Sequence, residues 1–348
     1  MTRKFVARAM LPILAALLLH AAPLRAQIQA QPTDDFFRGK ALTLYIAGTV
    51  GGGLDAAGRI VARHIGRHLA GAPIMTPQML PGAGGIRAID TLATTAPRDG
   101  TVIAVIPSGP ILDPLIGGRK MAYSMTDLTA IGAVIKDFSL CVSWHASPFK
   151  TLDDVRRQEM TVAGTGAGST TDTFPLVVNA ALGTKFKVIT GYLGTQETAM
   201  AVERGETHGR CGWSWSSLKG VKADWLRDNK LNLLLQMGVS KSPVAPDVPF
   251  VMDEAKNDED RRMLTLMFAP LSLSHAFLAP PGLPPQRTAE LRRAFMATMA
   301  DPEVRKEAVA QLSEEPSPTS GEDMQKLIAQ LYATPEPIVD RLRAILKK

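Results

Sequence analysis

The sequence predicts an α/β fold built in two halves. Short apolar runs rich in strand formers alternate with segments whose apolar residues recur every three or four positions, the pattern of largely parallel sheets covered by helices. Twice, an apolar strand runs into a Gly/Thr-rich turn that opens a helix. The first copy joins 41–47 to Gly48-Thr49-Val50-Gly51-Gly52-Gly53; the second joins 160–163 to Gly164-Thr165-Gly166-Ala167-Gly168-Ser169-Thr170-Thr171. The chain has 348 residues, 45% of them apolar, enough for two domains.

Each element follows in order. Residues 41–47 form the first strand. A helix opens near Leu54, with Asp55 in its first turn, where a negative charge meets the positive end of the helix dipole. Ile60, Val61, Ile65 and Leu69 recur at helical spacing, Arg59, Arg63 and Arg67 mark a second face, and Gly71 ends the helix. A strand at 74–78 leads into Pro81-Gly82-Ala83-Gly84-Gly85 and a helix to about Thr95. Asp99-Gly100 turns the chain into a third strand, 101–106, which stops at Pro107-Ser108-Gly109. The alternation resumes after 140–144, with strands at 161–163, 187–192, 209–213 and 231–237. Residues 257–262 read as a solvated charged helix or loop. The apolar stretch 268–278 ends at Pro280-Pro281-Gly282-Leu283-Pro284-Pro285, which forces a turn. The tail is helical: 286–299, then 301–312 with Asp301 as N-cap and Pro302 at the first helical position, then 321–332 and 335–346.

The two Gly-rich turns are candidate anion cradles. Glycine lets a backbone approach a ligand without a Cβ in the way. The helix start behind it offers unpaired N–H groups and the positive dipole end. Two such cradles, far apart in sequence, point to two lobes that grip one anion.

Arg3, Lys4 and Arg8 precede an apolar run at 9–19, and Leu24-Arg25-Ala26 precedes Gln27. This is the pattern of a secretory signal peptide spanning 1–26, too short for a membrane span. Export to the periplasm is therefore expected. The chain's net charge is +6, but residues 1–26 hold four bases and no acid, leaving 35 bases against 33 acids. Nucleic-acid binding loses its electrostatic support. Cys141 and Cys211 would meet an oxidising compartment. They form a disulfide or pack as two buried thiols, and spacing alone does not choose.

Other chemistries find little support. Gly51-Gly52-Gly53-Leu54-Asp55-Ala56 satisfies the dinucleotide pattern formally, yet no acid follows at the required distance. The Walker lysine motif is absent. His64 and His68 are four apart, but Ile65 stands where a metalloprotease has its glutamate, and Arg63 and Arg67 interleave; a basic solvated face fits better. His145, His208 and His275 have no partner at ligand spacing. There is no G-x-S-x-G elbow. No cofactor and no metal are expected. Trp213-Ser214-Trp215-Ser216-Ser217 holds two of the four tryptophans, either as the wall of a ligand cleft or as a core plug at a strand end.

These landmarks together resemble the Bug family, the solute-binding receptors of tripartite tricarboxylate transporters. The resemblance runs from about Phe36 to Leu346. It rests on 47–59 as the first Gly-rich loop and helix, on Pro81-Gly82-Ala83-Gly84-Gly85, and on Ala96-Pro97-Arg98-Asp99-Gly100. It continues through 164–169, Ser242-Pro243 with Pro246-Asp247-Val248-Pro249, and Ala279-Pro280-Pro281-Gly282. Six pieces in order are specific where each alone is weak.

The resemblance implies a bilobal type II periplasmic-binding-protein-like fold, two α/β lobes joined by two crossover segments. Lobe 1 would comprise 36–139 plus 266–348, and lobe 2 would comprise 140–265. It implies a small carboxylate-bearing ligand, an organic acid or amino acid, delivered to membrane transporter subunits by a monomeric receptor. Carried over by position, Thr49, Gly51, Gly52, Gly53, Asp55 and Ser108 would serve the first lobe. Thr165, Gly168, Ser169, Thr170, Gly194 and Thr195 would serve the second, with Trp213 beside them. Asp55 would cap its helix or receive an ammonium or hydroxyl group. Many members carry Phe-Asp where this chain has Cys211-Gly212, so this side of the pocket lacks that carboxylate. Two other classes stay in view: a secreted α/β enzyme acting on an anionic substrate, and a sensory binding protein.

Overall fold

A computed structural model describes residues 35–48, 50–117, 121–166 and 168–347. The proposed leader, 1–26, and Thr49 lie outside the described residues. Eleven strands are described: β1 Ala41–Ile46, β2 Ile74–Met79, β3 Val102–Ile106, β4 Thr129–Ile135, β5 Ser139–Trp144, β6 Met160–Ala163, β7 Phe186–Ile189, β8 Gly209–Ser214, β9 Leu231–Met237, β10 Ser274–Ala279 and β11 Thr319–Ser320. The helices are α1 Gly53–His64, α2 Ile86–Thr94, α3 Asp113–Ile116, α4 Leu152–Arg157, α5 Thr170–Leu182, α6 Thr195–Glu203, α7 Trp215–Arg227, α8 Asp258–Phe268, α9 Pro285–Ala300, α10 Pro302–Leu312, α11 Gly321–Tyr332 and α12 Glu336–Leu346.

The strands form two sheets. One has the order β11-β4-β10-β3-β1-β2 and the other β7-β6-β8-β5-β9. Both are more mixed than alternation alone implies. β1 runs parallel to β2 and β3, but β10 is antiparallel to β3 and β4. In the second sheet β6 is parallel to β7 and β8, whereas β5 is antiparallel to β8 and β9. β5 and β10, which run against the parallel strands of their sheets, flank the crossings; the two-residue β11 adds an antiparallel edge beside β4. The chain leaves the first sheet between β4 and β5, through Lys136-Asp137-Phe138. It returns through α8 and a 3-10 turn, Ala269–Leu273, into β10. Pro77 sits in β2, an edge strand, where a missing N–H breaks no interior ladder.

β3 is buried along its whole length and feeds two cores. Ile103 and Val105 face α1, α9 and α10 with Ile60, Val61, Leu291 and Phe295. Val102, Ala104 and Ile106 belong to a second core that continues without a break into the other half, through Val162, Val177, Leu235, Leu264 and Leu342. Burial on both faces is why this strand reads as continuously apolar. α12 packs against α3, α5 and α8, so the last helix touches elements of both halves. A third core, Leu140, Val142, Trp213, Leu218 and Trp225, fills the outer face of the second sheet.

The structure corrects several readings. β4 lies outside the expected strands, although Thr129–Ile135 is apolar almost throughout. α5 starts at Thr170, three residues earlier than expected, because Ser169 takes the extended N-cap conformation. α1 ends at His64 and tightens into a 3-10 turn, Ile65–His68. The basic face of α1 is not solvated at His64, which is only 3% exposed. Its Nε2 lies 2.7 Å from Glu307 on α10, and its Nδ1 lies 2.6 Å from Arg67. Arg63 also pairs with Glu307, and Arg67 with Glu303. The basic stripe of α1 is thus the seam that docks α10.

Candidate functional site

Both Gly-rich turns fold around a carboxylate of their own. In the first, the Gly51 N–H donates to Asp55 Oδ2 at 2.9 Å, and Arg59 Nε donates to Asp55 Oδ1 at 2.7 Å. Asp55 is 4% exposed and faces inward. Gly51 has φ +83°, the left-handed region where glycine is favoured, and Gly52 caps α1. In the second turn the Gly166 N–H and the Ser169 hydroxyl both donate to Asp172 Oδ1 at 3.1 Å. The Thr165 N–H donates to Thr171 Oγ1 at 3.0 Å, and the Thr165 hydroxyl lies 3.0 Å from the same oxygen. A Cβ on Gly164 would meet Asp172 Oδ1 at 2.3 Å, so glycine here makes room for that carboxylate. Sequence reasoning misses Asp172. The available signal is an acid in the first turn of a helix behind a glycine turn, the same signal that marks Asp55.

The second turn is held against β8. Gly212, at φ +76°, has no Cβ where the Thr170 carbonyl oxygen approaches to 2.3 Å of the Cβ position. The Thr170 hydroxyl donates to the Gly212 carbonyl at 3.0 Å.

Between the two sheets lies a cavity of about 430 Å³. From the first half it takes Ser108, Gly109 and Pro110 after β3, the Ala83-Gly84 turn, and Asp113 of α3. From the second it takes Gly168, Thr170, Thr173 and Phe174 at the start of α5. Met267, Pro270 and Leu271 of the return crossing close one wall, and Arg343, Leu346 and Lys347 close another. Arg343 is largely engaged: Nε and Nη2 donate to the Leu115 carbonyl, and Nη1 donates to Glu336 and Asp340. Lys347 stays exposed at the rim. Hydroxyls and an exposed lysine around an apolar floor suit a small polar ligand, and Asp113 adds one carboxylate to the same lining.

Of the residues expected in the site, the cavity brings together Ser108, Gly168 and Thr170. Gly51, Gly52, Gly53 and Asp55 do not line it. Neither do Thr165 and Ser169, whose hydroxyls join the Asp172 network. Gly53 opens α1 beside His275 of β10, whose Nε2 lies 3.6 Å from the Gly53 Cβ position. His275 has φ +55° and a buried Nδ1 without a partner among the described residues. Burial pushes its imidazole pKa down to about 4, so it is neutral. Gly194 and Thr195 form the start of α6, away from the cavity lining. Trp213 is no cleft wall: it is wholly buried, edge-on to Trp225 in the outer core. Trp215 stacks on Phe138. The Ala83-Gly84 turn, Asp113, Arg343 and Lys347 line the cavity unforeseen. Only the tertiary packing of α12 brings the last two there.

Val50 and Leu193 are apolar and exposed, at 73% and 91%, as is Ile74 of the edge strand β2 at 76%. The first two each sit in a loop just before a helix start, α1 for Val50 and α6 for Leu193. Among the described residues, no helix is long and apolar enough to cross a membrane.

Comparison with known proteins gives the fold a context. A family model described as the tripartite tricarboxylate transporter family receptor, TctC, matches residues 58–343. No curated protein sequence matches the chain at a significant level. Among solved structures, a TctC solute-binding protein from Polaromonas is similar at 19% identity and a TM-score of 0.67, covering 89% of this chain and 98% of that one. The periplasmic binding protein BugD is similar at 18% identity and 0.59, covering 89% and 98%. An R. palustris protein solved with adipate is similar at 17% and 0.60, covering 87% and 97%. The two sheets, crossed twice by the chain, are the bilobal α/β fold of these periplasmic binding proteins.

Proposed function

Since the chain belongs to the tripartite tricarboxylate transporter receptor family, we propose that it captures a small carboxylate-bearing solute between its lobes and hands it, unchanged, to transporter subunits in the membrane. The reading takes lobe 1 as 36–139 plus 266–348 and lobe 2 as 140–265. It takes the leader 1–26 as removed on export and the mature periplasmic receptor as a monomer. One observation carries it: a cavity of about 430 Å³ lies where Ser108 of the first half meets Gly168 and Thr170 of the second. That volume falls within the range of small-ligand sites.

The chemistry supports capture and release. Hydroxyls and backbone N–H groups can make the direct contacts to a carboxylate, so that no cation need be desolvated against it. Thr49, Gly51, Gly52 and Gly53 would close on the ligand from the first lobe. Thr165, Ser169, Gly194 and Thr195 would close from the second. Asp55 and Asp172 hold the two turns in shape from behind, through the Gly51 N–H and through the Gly166 N–H and Ser169 hydroxyl. Hinge closure would bury the apolar lips Val50 and Leu193 and exclude water.

The test is a thermal-shift and calorimetric screen of the leaderless protein against mono-, di- and tricarboxylates and amino acids. A ligand at one hundred times its Kd stabilises the native state by about 2.7 kcal/mol. Ser108→Ala with Thr170→Val should weaken the best acid at least tenfold, while the lost Thr170–Gly212 hydrogen bond should cost the unliganded protein only about 1 kcal/mol. Unchanged affinity in that double variant would remove the cavity from the site. Turnover of any bound acid would move the protein to the enzymes.

A further inference from the structure

The second half holds a buried positive charge that no carboxylate among the described residues neutralises. Arg210, in β8, is 5% exposed. Its guanidinium points under the first turn of α6. Nη1 donates to Thr198 Oγ1 at 2.8 Å, and Nη2 reaches Thr195 Oγ1 at 3.4 Å. Nε is buried with no partner among the described residues. The guanidinium also lies over the Trp213 ring, 4.5 Å from Cζ to the centroid. Burial lowers its pKa to about 10, with no opposing pull from a described carboxylate. It therefore stays charged at neutral pH.

A buried guanidinium facing hydroxyls and an indole is an expensive arrangement. Charges inside proteins are normally paired, and replacing buried ionic groups by apolar ones of similar volume is often neutral or stabilising. None of the described acids near α6 pairs with Arg210. Glu206 accepts from Tyr192 and Glu203 pairs with Lys222, while Glu197, in the first turn of α6, brings Oε2 to 3.3 Å from the Gly194 Cβ position, beside the helix start, without an ion pair to Arg210 among the described residues. Meanwhile the start of α6 presents its own N–H groups, with Gly194 in extended conformation as cap and no side-chain capping bond. Two positive features converge on one spot: the helix dipole end and, directly beneath it, Arg210.

We propose that Arg210 charges the α6 start from below, so that Thr195 and the first N–H groups of α6 hold an anionic end of the ligand. Arg210 is a positioning residue. It acts through the Thr195 hydroxyl, orienting it and supplying the field, and leaves bulk water out of reach of its charge. The uncompensated charge is stored in the unliganded protein and is compensated when the anion docks. The residue thereby discriminates charged from neutral ligand ends. This inference rests on the receptor reading for its ligand but not for its charge.

Three proteins test it: the leaderless wild type, Arg210→Met and Arg210→Lys. The probes are succinate, its monoamide succinamate, adipate and inorganic sulfate, read by calorimetry and thermal shift. The wild type should prefer succinate to succinamate at least tenfold. Arg210→Met should erase most of that preference by weakening succinate tenfold or more, leaving succinamate within about threefold. Arg210→Lys should recover part of the loss. Unliganded Arg210→Met should melt at the same temperature as the wild type or higher. Undiminished preference for succinate in Arg210→Met overturns the proposal. So does a drop of several degrees in its unliganded Tm with equal losses for both probes, the mark of a purely structural residue. If no carboxylate binds the wild type, the receptor reading falls and sulfate decides. A sulfate-induced shift present in the wild type and absent from Arg210→Met upholds the anion site; equal shifts, or none in either, overturn it.

Discussion

At the scale of single residues, the clearest result is that each glycine turn is built around a side chain. Glycine content announces a close approach; it does not announce what approaches. At Gly164 the approaching group is Asp172, and at Gly212 it is the backbone of Thr170. The two turns are therefore legible in the sequence as special backbone, while the sequence leaves open whether a ligand or the protein's own carboxylate occupies them. His275 is the other residue whose environment sequence does not supply, since a lone histidine carries no sign of its burial. Its pKa falls from 6.5 to about 4 through burial, so between those values the unfolded chain binds a proton that the folded one refuses. Stability is then intact above about pH 6.5 and declines as pH falls toward 4. Each tenfold weakening of proton binding corresponds to about 1.4 kcal/mol, so the full loss is on the order of 3 kcal/mol. His275→Asn keeps a residue that tolerates positive φ and removes the titration. Urea unfolding at pH 7 and pH 4.5 should show a smaller difference for this variant than for the wild type. An unchanged difference would mean that other groups carry the acid limb.

At the scale of elements, periodicity and caps are readable where one helix faces one core. α11 runs from Gly321 to Tyr332, as its spacing predicts. α10 begins at Pro302 with the Asp301 carboxylate accepting the Glu303 N–H. What escapes is β4, buried along nearly its whole length, because burial on both faces erases the alternation that marks a strand. The solvated reading of the α1 basic stripe fails for a related reason. Arg63 and Arg67 pair with Glu307 and Glu303, and His64 hydrogen-bonds to Glu307, more than two hundred residues away. Spacing reports a face, not its partner. The cysteines show the same limit: Cys141 and Cys211 face each other in register on β5 and β8 and form a disulfide, across a sequence separation of 70. Loop closure of that length should contribute about 4 kcal/mol in the chain-entropy account. Cys141→Ser with Cys211→Ser should lower the denaturation midpoint accordingly. Wild type unfolded without reductant should titrate no free thiol, and two free thiols would refute the bridge.

At the scale of the whole molecule, the two halves are joined by a small electrostatic knot as well as by the shared core. Lys219 of α7, in the second half, donates to the Ser313 carbonyl at 3.0 Å and lies 3.6 Å from Glu314, both just after α10 of the first. Asp137, on the outgoing crossing, accepts from the Ser216 hydroxyl at 2.5 Å and from the Phe138 N–H at 2.8 Å. Burial raises the pKa of both Asp137 and Glu314, Asp137 raises Glu314 further, and the Lys219 charge opposes all of this. The sign follows from the proton count. A carboxyl whose folded pKa is raised keeps its proton longer in the folded state than in the unfolded one. Stability is therefore fullest below the ordinary carboxylate range and declines as pH rises through it. Lys219 limits that decline by stabilising the ionised forms. Lys219→Met should remove the limit and push both acids higher. Its melting temperature should then fall more between pH 4 and pH 7 than that of the wild type, while Glu314→Gln in the same background should recover part of the difference. Parallel pH profiles in wild type and Lys219→Met would show that Lys219 does not set the pH dependence of stability here.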